Sequence, residues 1–147
     1  MDKRISKQVI VMRKSFIVDG KKVTPRKGKY IAQGAHASLA AILGHSKGYQ
    51  DSITIYLDED DSAIRNWLRG QFTKICVSVE TEEELLEVYN KAKEKGLICS
   101  LITDAGHTEF NGQPTITCCA IGPAWSDELD EITGNLLFKS LLPIWFI

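Results

Sequence analysis

The sequence lacks any apolar segment long enough to cross a membrane, and it begins with no recognisable secretory signal. Its longest clean apolar run near the N-terminus covers residues 9–12, and the apolar C-terminal segment 141–147 contains Pro143. Both are far shorter than the roughly 20 residues of a helical span. Repeats, linkers and low-complexity tracts are absent too. We therefore expect a single cytoplasmic domain that covers residues 1–147.

Cysteine is scarce and wrongly spaced for a metal site. The chain has four cysteines, and no pair shows the spacing of zinc ligands. Cys118 and Cys119 are adjacent, so in a strand they would face opposite sides of a sheet. Free cysteines without a secretory signal are typical of a reducing compartment. We expect four small core residues, and we predict neither a metal nor a cofactor.

Charge is nearly balanced overall but unevenly distributed. The net charge is −1, yet residues 1–30 contain ten of the 18 lysines and arginines and only two acids. A basic end on a near-neutral chain suggests an anionic partner such as nucleic acid. A basic arm that is merely solvated explains the same pattern equally well.

Hydrophobic patterning predicts alternating strands and helices. The main strands are predicted at 8–12, 72–79, 97–102 and 115–121, and the helices at 25–44, 62–70, 81–95 and 126–133. A small hairpin is predicted around Asp19 and Gly20, and a short strand at 53–57. This order indicates an α/β fold, a three-layer α/β/α sandwich with a mixed, mostly parallel sheet of about four main strands.

The first long helix has two distinct faces. Its spacing predicts that one apolar face packs on the sheet, formed by Ile31, Ala35, Leu39 and Ile42. Lys29, Gln33 and His36 lie on roughly the opposite face. Lysines in the first turn of a helix are disfavoured by the helix dipole. Their presence there therefore suggests a functional role, such as binding an anion or a carboxylate. Alternatively, Gln33 is a surface polar residue and His36 a satisfied histidine beside the core.

Reactive side chains are expected to meet at one edge of the sheet. Asp104 follows the third main strand, and Lys29 follows the first. If these strands are parallel, both residues open onto the same edge, together with Thr108 and the start of the fourth strand. The alternative is a purely structural strand-end turn, in which Asp104 binds backbone amides and Gly106 supplies a positive φ.

Several sequence blocks resemble the peptidyl-tRNA hydrolase type 2 family. They are KGKYIAQGAHASLA, FTKICVSV, ELLEVYNKAKEKGL, SLITDAGHTE, TCCAIGP and LDEITGNL, which occur in the family's order over about residues 6–138. The chain differs from the family pattern in longer segments at 14–26 and 45–66 and in an apolar tail at 139–147. The loop before the fourth strand is one residue longer, which leaves Thr115 as an alternative to Thr117.

The resemblance implies hydrolysis of the ester bond between a peptide and tRNA, with no metal. Transferred by position, the catalytic residues are Lys29, Asp104, Thr108 and Thr117. Gln33 and His36 match the family pattern on the same helix and are expected to bind substrate, Gly106 shapes the turn there, and His107 falls at a variable position. Arg26 and Lys27, which belong to the basic N-terminal third, are expected to bind the phosphates of the tRNA. We expect Asp104 to orient or deprotonate a water that attacks directly, and Lys29 to stabilise the oxyanion. The partner is then peptidyl-tRNA, and the family also suggests a possible homodimer.

Two other interpretations use the same residues. The fold could serve as a non-catalytic RNA-binding or adaptor module in which Lys29 and Asp104 form only a structural ion pair. The same groups could also hydrolyse another acyl ester or a misacylated tRNA.

Overall fold

A mixed β-sheet with helices on both faces forms the body of the protein, as a computed structural model shows. The structure describes residues 4–137 and the backbone of 145–146. The strands are β1 (Ser6–Arg13), β2 (Phe16–Val18), β3 (Lys21–Val23), β4 (Ser46–Gly48), β5 (Ile53–Ile55), β6 (Lys74–Val79), β7 (Cys99–Asp104), β8 (Thr115–Trp125) and β9 (Trp145–Phe146). The helices are α1 (Lys27–Gly44), α2 (Ala63–Arg69), α3 (Glu82–Glu94) and α4 (Ser126–Leu137).

The main sheet has the strand order β7-β8-β1-β6-β9. β1 and β6 are parallel neighbours, whereas β8 runs antiparallel to both β1 and β7. The strands β1, β6 and β7 consequently share one direction, and their carboxyl ends lie at the same edge. The predicted three-layer α/β sandwich with a mixed sheet is confirmed. The sheet is less parallel than predicted, because β8 lies between β7 and β1 and leaves β1–β6 as the one parallel pair among the described strands.

Successive side chains along the strands point to opposite faces of the sheet and pack into two separate cores. Val9 and Val11 pack with α3 and α4 on one face, while Ile10 packs with α1 on the other. Cys118 and Cys119 obey the same rule and lie in opposite cores, as predicted. The sheet is therefore covered on both sides, in agreement with its apolar central strands.

Helix α1 packs on the sheet through its small residues. Gly34, Ala37 and Ala41 are buried, and a Cβ at Gly34 would already lie 3.7 Å from Ile10 Cγ2. The predicted core face was wrong except for Ile42, because close backbone approach turns the larger side chains Ile31 and Leu39 outward. The helix also begins later than predicted, at Lys27.

Helix α3 follows its prediction, and α4 differs from its own. The Thr81 hydroxyl caps α3 by accepting from the Glu84 N–H at 3.2 Å. Helix α4 passes through Gly134, where the sequence predicted its end. Glycine inside a helix costs only about 1 kcal/mol, and the extra turn lets Leu136 pack against the core.

Two hairpins flank the sheet. The predicted turn at Asp19 and Gly20 is confirmed, with positive φ at both residues, and it joins β2 to β3. The second hairpin pairs β5 with β4, a strand that the sequence did not reveal.

No helix among the described residues is both long and apolar enough to span a membrane. At the opposite edge of the sheet from β7, the short strand β9 pairs antiparallel with β6. The remainder of the apolar tail, residues 139–144 and 147, lies outside the described residues.

Candidate active site

Lys29 and Asp104 meet at the carboxyl edge of the sheet, as the topology predicted. Asp104 is the last residue of β7, and Lys29 lies in the first turn of α1. The Lys29 Nζ lies 2.7 Å from Asp104 Oδ1, and the two side chains are only 15% and 14% exposed. Water is therefore largely excluded from the pair, which strengthens the interaction between its charges.

The Asp104 carboxylate accepts two further hydrogen bonds. The Gln33 Nε2 donates to Oδ1 at 3.1 Å, and the Gly106 N–H donates to Oδ2 at 2.9 Å. Burial by itself would raise the pKa of Asp104, but the bonds from Lys29, Gly106 and Gln33 and the positive charge of Lys29 outweigh it and lower the pKa. Asp104 is thus held as an oriented anion at neutral pH.

The loop 105–114, which we call the Asp104 loop, is held in one shape. Gly106 has φ +86°, and a Cβ there would overlap with the Gln113 backbone, so glycine is required. The Gly112 N–H closes the loop on the Gly106 carbonyl at 2.9 Å. Phe110 is fully buried against Phe16 of the β2–β3 hairpin, with ring centroids 4.8 Å apart.

Three threonines lie near this edge, and two of them join the site. The Thr108 hydroxyl lies 3.2 Å from Lys29 Nζ and is exposed. The buried Thr117 hydroxyl donates to Gln33 Oε1 at 2.7 Å, so Gln33 links it to Asp104. Thr115 instead donates to the Gln113 carbonyl at 2.8 Å and lies outside this network.

The side chains of Arg26, Lys27 and His36 make no hydrogen bond to Lys29 or Asp104. Arg26 pairs with Glu109 at 2.8 Å, yet its side chain is 84% exposed. Lys27 and His36 are exposed. Gln33, for which a surface position was one alternative, is buried and connects two site residues.

Two contributors were missed by the sequence reasoning, although both lie in or beside the SLITDAGHTE block. The Glu109 carboxylate accepts hydrogen bonds from both the backbone N–H and the guanidinium group of Arg26. Phe110 places its ring 5.4 Å below Lys29 Nζ, a distance that suits a cation–π contact. The sequence did contain a signal for Phe110, since a large apolar residue directly after Glu109 in a polar loop suggests burial.

The described residues offer neither a metal-binding cluster nor a reactive thiol. Within residues 4–137, no three His, Cys, Asp or Glu side chains cluster in a way that could hold a metal ion. Burial raises the pKa of Cys118 to about 11, and burial also raises that of Cys119. Both are core thiols, as the sequence predicted.

The fold and site together define a class: an open α/β protein with a lysine–aspartate pair at the carboxyl ends of its strands. A family model described as "Peptidyl-tRNA hydrolase PTH2" matches residues 6–138. The chain belongs to that family.

Curated relatives agree with this assignment. A peptidyl-tRNA hydrolase of Methanocaldococcus jannaschii is 41% identical over 75% of this chain and 85% of its own length. One of Nanoarchaeum equitans is 41% identical over 88% and 96%. A probable peptidyl-tRNA hydrolase 2 of Dictyostelium discoideum is 35% identical over 88% of this chain and 53% of its own length.

Proposed function

We propose that the protein hydrolyses the ester bond of peptidyl-tRNA, releasing peptide and free tRNA. The observation that carries the proposal is the Lys29–Asp104 pair at 2.7 Å with the Thr108 hydroxyl beside it, in a chain of this family. The groups required to direct water at a carbonyl and to stabilise the resulting negative charge are therefore adjacent.

Asp104 orients the attacking water in this mechanism. Its Oδ1 accepts from Lys29 and Gln33, and its Oδ2 accepts from Gly106. A carboxylate has about four lone-pair positions, so Oδ2 can also accept from a water. The lowered pKa of Asp104 makes it a weak base, and orientation of the water is consequently its larger contribution.

Lys29 supplies the positive charge. Its ammonium group has three N–H donors, of which one bonds to Asp104 and one to Thr108. The third can donate to the carbonyl oxygen as it becomes an oxyanion, an interaction that grows stronger in the transition state. Thr108 would position the substrate, and Thr117 would fix Gln33, which in turn holds Asp104.

The tRNA would approach from the N-terminal end of α1. Most bases of the first 30 residues are ion-paired within the protein, for example Arg13 with Glu82. Lys21, Lys22 and Lys27 are exposed and make no ion pair within residues 4–137. Together with the exposed Arg26, they would bind phosphates, and binding should weaken as salt increases.

Peptide release from N-acetylated aminoacyl-tRNA tests the function. We expect release by the wild type, and a loss of kcat of at least about 100-fold in Asp104→Asn and Lys29→Ala. Lys95→Ala is the matched control, because it removes an exposed ion pair with Glu131 that includes no residue of the candidate site. Equal rates in all four proteins would contradict the roles of Lys29 and Asp104. Intact tRNA binding with no release by the wild type would indicate an adaptor module instead.

We also propose a domain organisation, a localisation and an oligomeric state for the protein. The 147 residues act as one domain, and the protein is cytoplasmic, which fits its free cysteines. The homodimer suggested by the family resemblance stays a prediction, which light scattering of the purified protein checks.

A further inference from the structure

An apolar groove runs from the candidate active site along the side of α1 that faces β7. It has a volume of about 630 Å³, and β7 forms its other wall. Asp104 lines one end, whereas Leu39, Ala40 and Leu43 of α1 and Ile102 of β7 line the rest. Leu39 is 59% exposed, although its size and character suit a core. An exposed apolar surface that is continuous with a reactive carboxylate suggests a ligand.

The two ends of α1 differ in chemistry. Arg26 and Lys27 are exposed at its N-terminal end, before Lys29. Beyond Gln33 the groove contains no lysine or arginine. The scissile ester joins a polyanion to an acyl chain, and its carbonyl would lie between these regions at Lys29 and Asp104. The charge distribution thus directs the tRNA toward the N-terminal end and the acyl part toward Leu39.

We infer that this groove binds the peptide part of peptidyl-tRNA and favours an apolar side chain about three residues from the ester. The inference rests on the proposed function and specifies its substrate more closely. From Gln33 to Leu43 the helix rises about 15 Å, a length that matches four or five extended residues. Leu39 is the specificity-determining residue, because it lies about 9 Å along the helix from Gln33, a distance that corresponds to about the third extended residue from the ester.

The test compares two substrates on one tRNA body that differ at the third residue from the ester, N-acetyl-Leu-Gly-Gly-tRNA as the leucyl substrate and N-acetyl-Gly-Gly-Gly-tRNA as the glycyl one. We expect the wild type to favour the leucyl substrate about tenfold in kcat/KM, as apolar contacts of this size allow. Leu39→Ser should bring this ratio close to one, and Leu39→Met should preserve it. Ile31→Ser is the matched control: Ile31 lies on the same helix, is 73% exposed and does not line the groove, so the ratio should remain that of the wild type.

Other results would overturn the inference in recognisable ways. If Leu39→Ser lowers kcat/KM for both substrates equally, the groove binds the terminal nucleotide instead. If it leaves the ratio unchanged but converts a dimer to a monomer in light scattering, the groove is covered by a second copy of the chain. In both cases the wild type still releases peptide, and the proposed hydrolysis stands. Failure of the wild type to act on either substrate would overturn the proposed function as well.

Discussion

The Asp104 loop and the β4–β5 hairpin are both polar connections at the edges of the molecule, yet they are built in opposite ways. The Asp104 loop contains a fully buried Phe110, a glycine with positive φ and a backbone hydrogen bond that closes it. In the hairpin, Tyr49 and Ile53 are exposed instead. A loop that must hold a carboxylate against a lysine is fixed by packing, whereas the hairpin makes no bond to the candidate site.

The largest expected difference between these regions is in stability. Phe110→Ala removes a fully buried ring from beneath Lys29 and from contact with Phe16, and it should cost about 3–5 kcal/mol. Tyr49→Ala, the control in the hairpin, should change the free energy of unfolding by less than about 0.5 kcal/mol, since its ring is exposed. Urea unfolding measures both. Similar losses in the two variants would contradict the comparison.

The second-largest difference between the two regions is expected when a glycine in each is replaced by alanine. Gly106→Ala forces a left-handed conformation on alanine and overlaps with Gln113, so we expect a loss of roughly 2–3 kcal/mol. The reaction should slow as well, because the Gly106 N–H holds Asp104. Gly48→Ala in β4 meets no neighbouring atom and should be close to neutral. Urea unfolding and peptide-release rates check both variants, and an active, stable Gly106→Ala protein would be the contrary result.

Sequence patterns predicted the main elements well because strand alternation and helix capping are local properties. They also placed Lys29 and Asp104 at one edge, since parallel strands require it. The burial of Gln33 and the outward position of Leu39 were not predictable in this way. Both depend on how closely α1 approaches the sheet, which Gly34 and its small neighbours set in three dimensions.

A smaller effect should distinguish the two candidate threonines at the start of β8. Thr117→Val leaves the buried Gln33 Oε1 without its donor, and an unsatisfied buried acceptor costs about 1–3 kcal/mol. Because Gln33 also holds Asp104, kcat should fall more than KM rises. Thr115→Val removes only a bond to the Gln113 carbonyl next to it and should leave kcat near the wild-type value. Steady-state kinetics of both variants checks this, and a larger loss in Thr115→Val would assign the role to Thr115.

The smallest effect is expected in the pH dependence of stability, because burial of Asp104 opposes the interactions that lower its pKa. A carboxyl group with a lowered folded-state pKa stabilises the protein fully above its unfolded pKa of about 3.9. That contribution is lost as the pH falls through the folded value, when the folded state binds the proton as well. The difference in unfolding free energy between the wild type and Asp104→Asn should therefore be constant near neutral pH and shrink below about pH 4. Asp51 of the β4–β5 hairpin and the acidic groups elsewhere occur in both proteins and cancel in this difference. Urea unfolding at pH 7, 5, 4 and 3 measures it, and an unchanged difference at pH 3 would show that Lys29 and Gly106 do not hold the carboxylate in its charged form.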